Sequence, residues 1–317
     1  MTAAPFTGSF PELYDRYLVP MNFAPYARRL AERVGAIAPR SVLETAAGTG
    51  AVTRELTRVL PPDVAITATD LNQPMIALAQ AKLGSDRIRW QEADALDLPF
   101  PENAFDVVLC QFGVMFFPDK RRAFREALRV LRTGGDFLFS VWDSFDANPN
   151  DPLRVAGRIV GAILGREPVS LFSPPYHDEP TIRSDLSAAG FADIRVETVS
   201  EPSRAASARE AATIVCHGSV LRTAIEAYDP GRLGEITDSV TEALLSRFGT
   251  GAVEGRTQAL LVSARGHTAE EGDERSSKQL RRKYPGALRP RSGAGAVLGF
   301  CQGHGSPRGR LRASAGA

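Results

Sequence analysis

The sequence predicts an α/β fold, a doubly wound sheet of seven strands, and three observations carry that expectation. Between Ser41 and Trp142, short apolar runs of strand character alternate with segments whose apolar residues recur at helical spacing. The first run, in SVLETAAGTG over residues 41–50, ends in a loop of small residues that opens directly into a helix. Acidic residues, Asp70 and Asp94, then stand where the second and third runs end.

Taken in order, residues 11–34 read as one or two helices whose apolar stripe is broken by Pro20 and Pro25. Most of these side chains serve packing. Tyr14 and Tyr17 have polar tips and are candidate substrate contacts on a helix able to fold over a site. Residues 41–45 form the first strand. Gly48-Thr49-Gly50 then permits a tight turn and close backbone approach, and the helix that follows offers unpaired N–H groups and a partial positive charge. This loop is a seat for a nucleotide or cofactor.

Residues 64–71 read as a buried strand ending in Asp70, a carboxylate placed to accept hydrogen bonds from a ribose diol. Asn72 fits the cap of the helix opening at Pro74 better than Asp70 does. A third strand, 88–93, is followed by Asp94, whose competing role is a turn aspartate bonding its own backbone. The almost continuous apolar run 105–111 suits a strand buried on both faces, with Gln111-Phe112-Gly113 at its exposed end. Residues 119–131 form an amphipathic helix capped by Asp119 and ended by Arg132-Thr133-Gly134-Gly135, with a glycine available for a left-handed cap. Residues 136–142 resume a strand. Right-handed crossovers join these strands into a doubly wound sheet.

Composition bounds the function. The 317 residues carry a formal net charge of +1, which hides an asymmetry. The chain past Arg265 is Gly- and Arg-rich at about +6, leaving the remainder at about −5, so the main body has no general pull on nucleic acid. Three cysteines, Cys110, Cys216 and Cys301, lack CxxC spacing, so neither a disulfide framework nor a metal site is expected, and a reducing cytoplasm fits. The N-terminus has no basic and apolar leader, and no stretch approaches the roughly 20 apolar residues of a membrane span.

Five segments in this order, LETAAGTG, TATDLN, EADALDLPF, FDVVLCQFGVMFF and ALRVLRTGGDF, resemble the class I S-adenosylmethionine-dependent methyltransferases. Over about Phe10 to Arg265 the chain is similar to the ubiquinone and menaquinone biosynthesis type. The resemblance implies a Rossmann-like methyltransferase sheet with its last strand antiparallel. It implies S-adenosyl-L-methionine as cofactor and in-line transfer of its methyl group to a small-molecule acceptor. By the same resemblance, Glu44, Ala46, Gly48 and Gly50 line the methionine side of the cofactor. Asp70, with Leu71 beside it, holds the ribose hydroxyls. Asp94, with the backbone of Ala95, reads the adenine amine, and Gln111 and Phe112 face the methyl-donor end. The family usually has glycine where this chain has Ala46. Alanine is expected to avoid positive φ there, which would hold the loop slightly further from the ligand.

A hydride-transferring NAD(P)-binding oxidoreductase is the outside rival, because it too places an acid after a glycine loop. Its G-x-G-x-x-G spacing is not met: Gly48-Thr49-Gly50 is followed by Ala51-Val52-Thr53. Two further alternatives are a protein that binds the cofactor without turnover and an RNA-modifying methyltransferase using the basic tail.

In the second half, residues 149–165 and 181–189 read as helices, the latter capped by Gly190, and 191–199 and 258–264 as the last two strands. Two helical stretches, 206–228 and 230–248, lie between those strands. The family fold joins them by a near-direct hairpin, so this insertion is expected to form a lid that selects the acceptor. Acid–base candidates are few: His177 and Tyr176 in SPPYHDEP, and His217 beside Cys216. Positioning and desolvation can carry most of a sulfonium methyl transfer without a dedicated base. The expected organisation is a helical cap over 1–40, a methyltransferase domain over 41–265 with its insertion at 206–248, and a disordered tail over 266–317.

Overall fold

The structure, a computed structural model, describes residues 10–147, 149–168 and 175–266. The tail expected to be disordered lies outside the described residues, apart from Gly266. Seven strands form one sheet in the order β3-β2-β1-β4-β5-β7-β6. They are β1 (Ser41–Glu44), β2 (Ala65–Asp70), β3 (Ile88–Glu92), β4 (Phe105–Gln111), β5 (Leu131–Trp142), β6 (Ala192–Ala205) and β7 (Val253–Arg265). The first five run parallel, and β7 is antiparallel to both of its neighbours. The sheet therefore has the expected seven strands and the expected reversed last strand.

Its centre explains the apolar run in β4. Val107 and Leu109 join the core on one face with Val42, Ile66 and Leu138, whereas Val108 and Cys110 join the other with Leu43, Phe137 and Phe139. A strand covered on both faces has no polar side to alternate with. Helix α2 (Ala24–Ile37) packs on α3 (Ala51–Val59), and α4 (Gln73–Leu83) joins β2 to β3. Helix α5 (Lys120–Val130) packs on α7 (Glu179–Ala189). Asp119 caps α5 by accepting from the Arg122 N–H at 2.9 Å.

Several elements depart from their expected bounds. Helix α5 does not end in a glycine cap: Leu131 is already extended at φ −71° and ψ 141° and begins β5, so Arg132 to Gly135 belong to the strand. Strands β6 and β7 run on together until Ala205 pairs with Val253. Residues 200–205 lack apolar alternation, yet Pro202 is tolerated because β6 is an edge strand. The insertion α8 (Ala208–Gly218), α9 (Leu221–Tyr228) and α10 (Leu233–Phe248) thus hangs from the far end of a long hairpin. With α6 (Pro152–Leu164) it buries a third core, which includes Leu18 and Met21 from the N-terminal segment.

That segment is not a plain α-helix. A short α1 (Phe10–Leu13) passes into a π-helix over Tyr14–Phe23, closed by the Ala24 N–H donating to the Val19 carbonyl. Proline at 20 supplies no N–H, and the wider turn takes up the fault in the α pattern.

Candidate functional site

The C-terminal ends of β1, β2 and β4 meet one cavity of about 870 Å³. Strand β1 hands the chain to a loop pinned from both sides. Thr45 N–H donates to the Leu109 carbonyl and Ala47 N–H to the Thr69 carbonyl, each at 2.9 Å. The loop then coils through left-handed conformations at Ala46, Gly48 and Gly50, with φ of 52°, 56° and 79°. Alanine 46 does not avoid positive φ, contrary to the expectation from the sequence. The backbone bonds at 45 and 47 impose the conformation, and the loop keeps the path a glycine would allow. A Cβ placed on Gly48 would meet no atom within 4 Å, so the space over that residue is open to a ligand.

Asp70 is held rather than free. Its Oδ2 accepts from the Gly48 N–H at 2.8 Å, and its Oδ1 accepts from Asn72 N–H at 2.8 Å and Asn72 Nδ2 at 3.2 Å. Burial raises its pKa while these bonds oppose the rise. Asn72 is the positional N-cap of α4, but its side chain bonds Asp70 instead of the helix. Leu71 beside it is 62% exposed at the rim. Asp94 lines the same cavity with Ala95, and its Oδ1 also accepts from the Leu96 N–H at 2.9 Å. The turn role and the wall position coexist.

At the end of β4, Gln111 donates from Nε2 to the Phe23 carbonyl at 3.4 Å, while its buried Oε1 has no partner. Phe112 has φ 54° and its ring lies on Trp142, centroids 3.8 Å apart and planes at 16°. Phe23 and Tyr26 meet the Phe112 ring edge-on at 5.3 Å each. Phe23, Phe112 and Trp142 give the cavity an aromatic lining, with Tyr26 packed behind them, and Phe145 and Phe116 also line it.

The structure brings Ala46, Gly48, Asp70, Leu71, Asp94, Ala95, Gln111, Phe112, Tyr14, Tyr176 and His177 to the cavity. It leaves four expected residues off the wall. Glu44 points under the loop, where it accepts from the Thr53 hydroxyl at 2.6 Å, and burial pushes its pKa up to about 8. Gly50 faces inward, where an added Cβ would stand 3.0 Å from Leu83 and Trp90. Tyr17 packs with the insertion's core under a cation–π contact from Arg16. His217 lies 3.2 Å from the Thr237 hydroxyl inside the insertion, and burial holds its pKa below the usual value.

Of the remaining acid–base candidates, Tyr176 donates its hydroxyl to Asp185 Oδ2 at 3.0 Å. Burial, then that bond and the Asp185 charge, raises its pKa far above the ordinary range. Tyr14 is raised likewise, by desolvation and then by the charge of Asp70. The wall residues that were not expected include Asn22, Trp142, Asp151 and Arg154. Asp151 and Arg154 form a buried pair at 3.2 Å; burial pushes the Asp151 carboxyl up to about 6, against the pull of Arg154. Trp142 had a readable signal, its place at the end of β5 beside Gln111. Asn22 also had one, because it stands four residues past Leu18 and eight past Tyr14, on the same helical face as the tyrosine. Among the described residues, no group of His, Cys, Asp and Glu could hold a metal ion, and no helix is long and apolar enough to cross a membrane.

Comparison with known proteins points the same way. Residues 43–139 match a family model described as a methyltransferase domain. The chain is 36% identical over 180 residues to the ubiquinone/menaquinone biosynthesis C-methyltransferase of Pseudomonas paraeruginosa, covering 52% of this chain and 70% of that protein. It is 40% identical over 112 residues to a demethylmenaquinone methyltransferase of Deinococcus radiodurans, covering 35% and 46%. Among solved structures, the phosphoethanolamine N-methyltransferase 2 of Haemonchus contortus in complex with S-adenosyl-L-methionine shares the fold. It is 16% identical with a TM-score of 0.54, covering 84% of this chain and 59% of that one.

Proposed function

This chain belongs to the ubiquinone/menaquinone biosynthesis C-methyltransferase family of S-adenosylmethionine-dependent enzymes, and from that premise we propose which residues hold the cofactor and what kind of acceptor the cavity takes. The protein transfers a methyl group from S-adenosyl-L-methionine to a small-molecule acceptor. When bound, the cofactor supplies an electrophilic methyl group on a sulfonium.

The residues present fit it. Asp70 Oδ2 has a lone-pair site left beyond the Gly48 bond, suited to a ribose hydroxyl. The open space over Gly48 admits a ligand against the backbone, and the orphaned Gln111 Oε1 asks for an N–H or O–H donor such as the cofactor's α-ammonium group. Asp94 and Ala95 extend the same edge toward a purine. Glu44 supports the loop from beneath through Thr53 rather than touching the ligand.

The acceptor is a flat, largely apolar ring bearing oxygen. The stack of Phe112 on Trp142 carries this reading, because it sets an aromatic wall next to the Gln111 end of the cofactor site. The relatives named for ubiquinone and menaquinone fit such a ring. These residues bind and orient the ring and exclude water, which favours an in-line displacement that quenches charge. His177 is the candidate at the wall with a basic nitrogen to take a proton from the acceptor. Ser219 and Val220, in the turn between α8 and α9, reach the cavity, which supports the insertion as a lid over the acceptor side.

Incubation with methyl-labelled cofactor and a panel of hydroxylated aromatic rings and polar amines tests the reading. Label should pass to the rings. Transfer to the amines alone would overturn the acceptor class, and failure of the demethylated cofactor to bind in a calorimeter would overturn the cofactor site.

A further inference from the structure

Asn22 is wholly buried, and the structure gives it an odd set of contacts. Its Oδ1 accepts from the Ser203 hydroxyl at 2.8 Å, from another fully buried residue, while its Nδ2 is buried without a partner. An unsatisfied buried donor is destabilising, and an apolar residue of the same shape would avoid that penalty. The residue also lines the cavity. Phe10 on α1 and Tyr14, Leu18 and Asn22 on the π-helix, each four apart, all reach the cavity. A four-residue spacing keeps positions close to one face of a helix, so these side chains follow one another along the cavity. Ser203 comes from the extended end of β6, so the hairpin that carries the insertion also fixes the orientation of this amide.

We infer that Asn22 is the specificity residue of the acceptor site, donating from Nδ2 to a carbonyl or ring oxygen of the methyl acceptor while Ser203 holds its other end. The inference rests on the reading of an oxygen-bearing aromatic acceptor. One fixed donor sets which edge of a flat ring faces inward. It discriminates against an oxygen-free ring because the donor would then stay unpaired. Gln111 mirrors the arrangement: its amide is tied through Nε2 to the Phe23 carbonyl and leaves an acceptor oxygen unpaired. The two amides present opposite polarities, a donor at 22 and an acceptor at 111, so each calls for a different partner.

Two near-isosteric probes that differ in =O against =CH2, 1-acetylnaphthalene and 1-isopropenylnaphthalene, test this by equilibrium dialysis against the full chain saturated with S-adenosylhomocysteine. The wild type should bind the ketone about fivefold more tightly than the hydrocarbon, the range of one net hydrogen bond. Asn22→Leu should erase that preference while leaving the hydrocarbon and S-adenosylhomocysteine affinities within twofold. Ser203→Ala, which frees the amide without removing it, should reduce the preference by about half. A preference retained in Asn22→Leu overturns the role of Asn22, and so does equal weakening of both probes, which marks a structural residue. If neither probe binds the loaded wild type, the aromatic-acceptor reading falls and this inference with it. Failure of S-adenosylhomocysteine to bind would separately overturn the cofactor site.

Discussion

The methyl group of Ala46 fills the space beside Gly113: a Cβ at position 113 would stand 2.5 Å from Ala46 Cβ and 2.7 Å from Cys110 Sγ. The cofactor loop and the end of β4 are therefore interlocked through one small side chain. Ala46 stays left-handed at φ 52°, a conformation that costs an L-residue about 1–2 kcal/mol. Ala46→Gly relieves it and gives back about 0.4–1 kcal/mol in unfolded-chain entropy. A net gain near 0.5 kcal/mol is expected in denaturant unfolding. Gly113→Ala should lose about 2 kcal/mol through overpacking, and less in the Ala46→Gly background because one of the two clashes disappears. Additive effects in that cycle would show that the two positions do not meet.

Asp70 should dominate cofactor affinity. Asp70→Ala removes the carboxylate proposed to receive the ribose and leaves the Gly48 and Asn72 N–H groups without their acceptor. Charge-assisted bonds contribute about 1.5–3 kcal/mol each, so calorimetric titration with S-adenosylhomocysteine should show binding weaker by about 100-fold. A change under threefold would mean that the ribose sits elsewhere.

Glu44 should make stability fall as pH rises. Its folded pKa of about 8 lies above the ordinary 4.5, with burial the main cause, the Thr53 hydroxyl opposing it and the Asp70 charge adding to it. Between those values the folded state holds a proton that the unfolded chain has released, so unfolding free energy drops across the window and levels off above pH 8. Asp151, pushed up to about 6, adds the same sign of slope lower down. Glu44→Gln keeps an oxygen for the Thr53 hydroxyl and removes the titration. The variant should gain on the wild type between pH 6 and 8 by an amount on the order of a few kcal/mol. Parallel stability profiles for the two proteins would refute this.

The parts of the site legible in the sequence are those set by local chemistry. Gly48, Asp70, Asp94 and Gln111 each stand at the end of a strand recognisable from its apolar run, and all four reach one cavity. Glu44 was misplaced because it sits on the strand itself, where direction follows the neighbouring helix: Thr53 on α3 draws its carboxyl under the loop. Asn22 shares the helical face of Tyr14 and Leu18, but an amide amid apolar residues gives no local sign of its role, and Tyr17 turns to the insertion's core, a tertiary partner that the local pattern does not show. Residues 200–205 carry no apolar alternation, and their strand comes from pairing with β7, a tertiary partner invisible in the local pattern.

The N-terminal wall should be fastened by an ion pair. Lys82 on α4 reaches Asp15 Oδ2 on the π-helix, and Asp15 is buried with its Oδ1 unpartnered. Lys82→Ala leaves that carboxylate without its cation. The lysine is 44% exposed, so solvent screens part of the pair and the expected loss is about 1–2 kcal/mol. Amide exchange over residues 14–23 should quicken by about tenfold while β4 stays protected. Uniform acceleration across both would indicate a global effect instead.

The three acid–base candidates should separate in kinetics. Tyr176 gives its proton to a bond with Asp185 and resists ionisation, so Tyr176→Phe should keep kcat within about threefold and lose about 1 kcal/mol of stability. His217 is occupied with Thr237 away from the cavity, and His217→Ala should likewise touch stability alone. His177 lines the cavity. If its imidazole takes the acceptor's proton, His177→Gln should lower kcat for labelled methyl transfer by about 100-fold while leaving cofactor affinity within about twofold. A glutamine variant that retains the rate assigns catalysis to the aromatic wall and the cofactor loop, through positioning and exclusion of water.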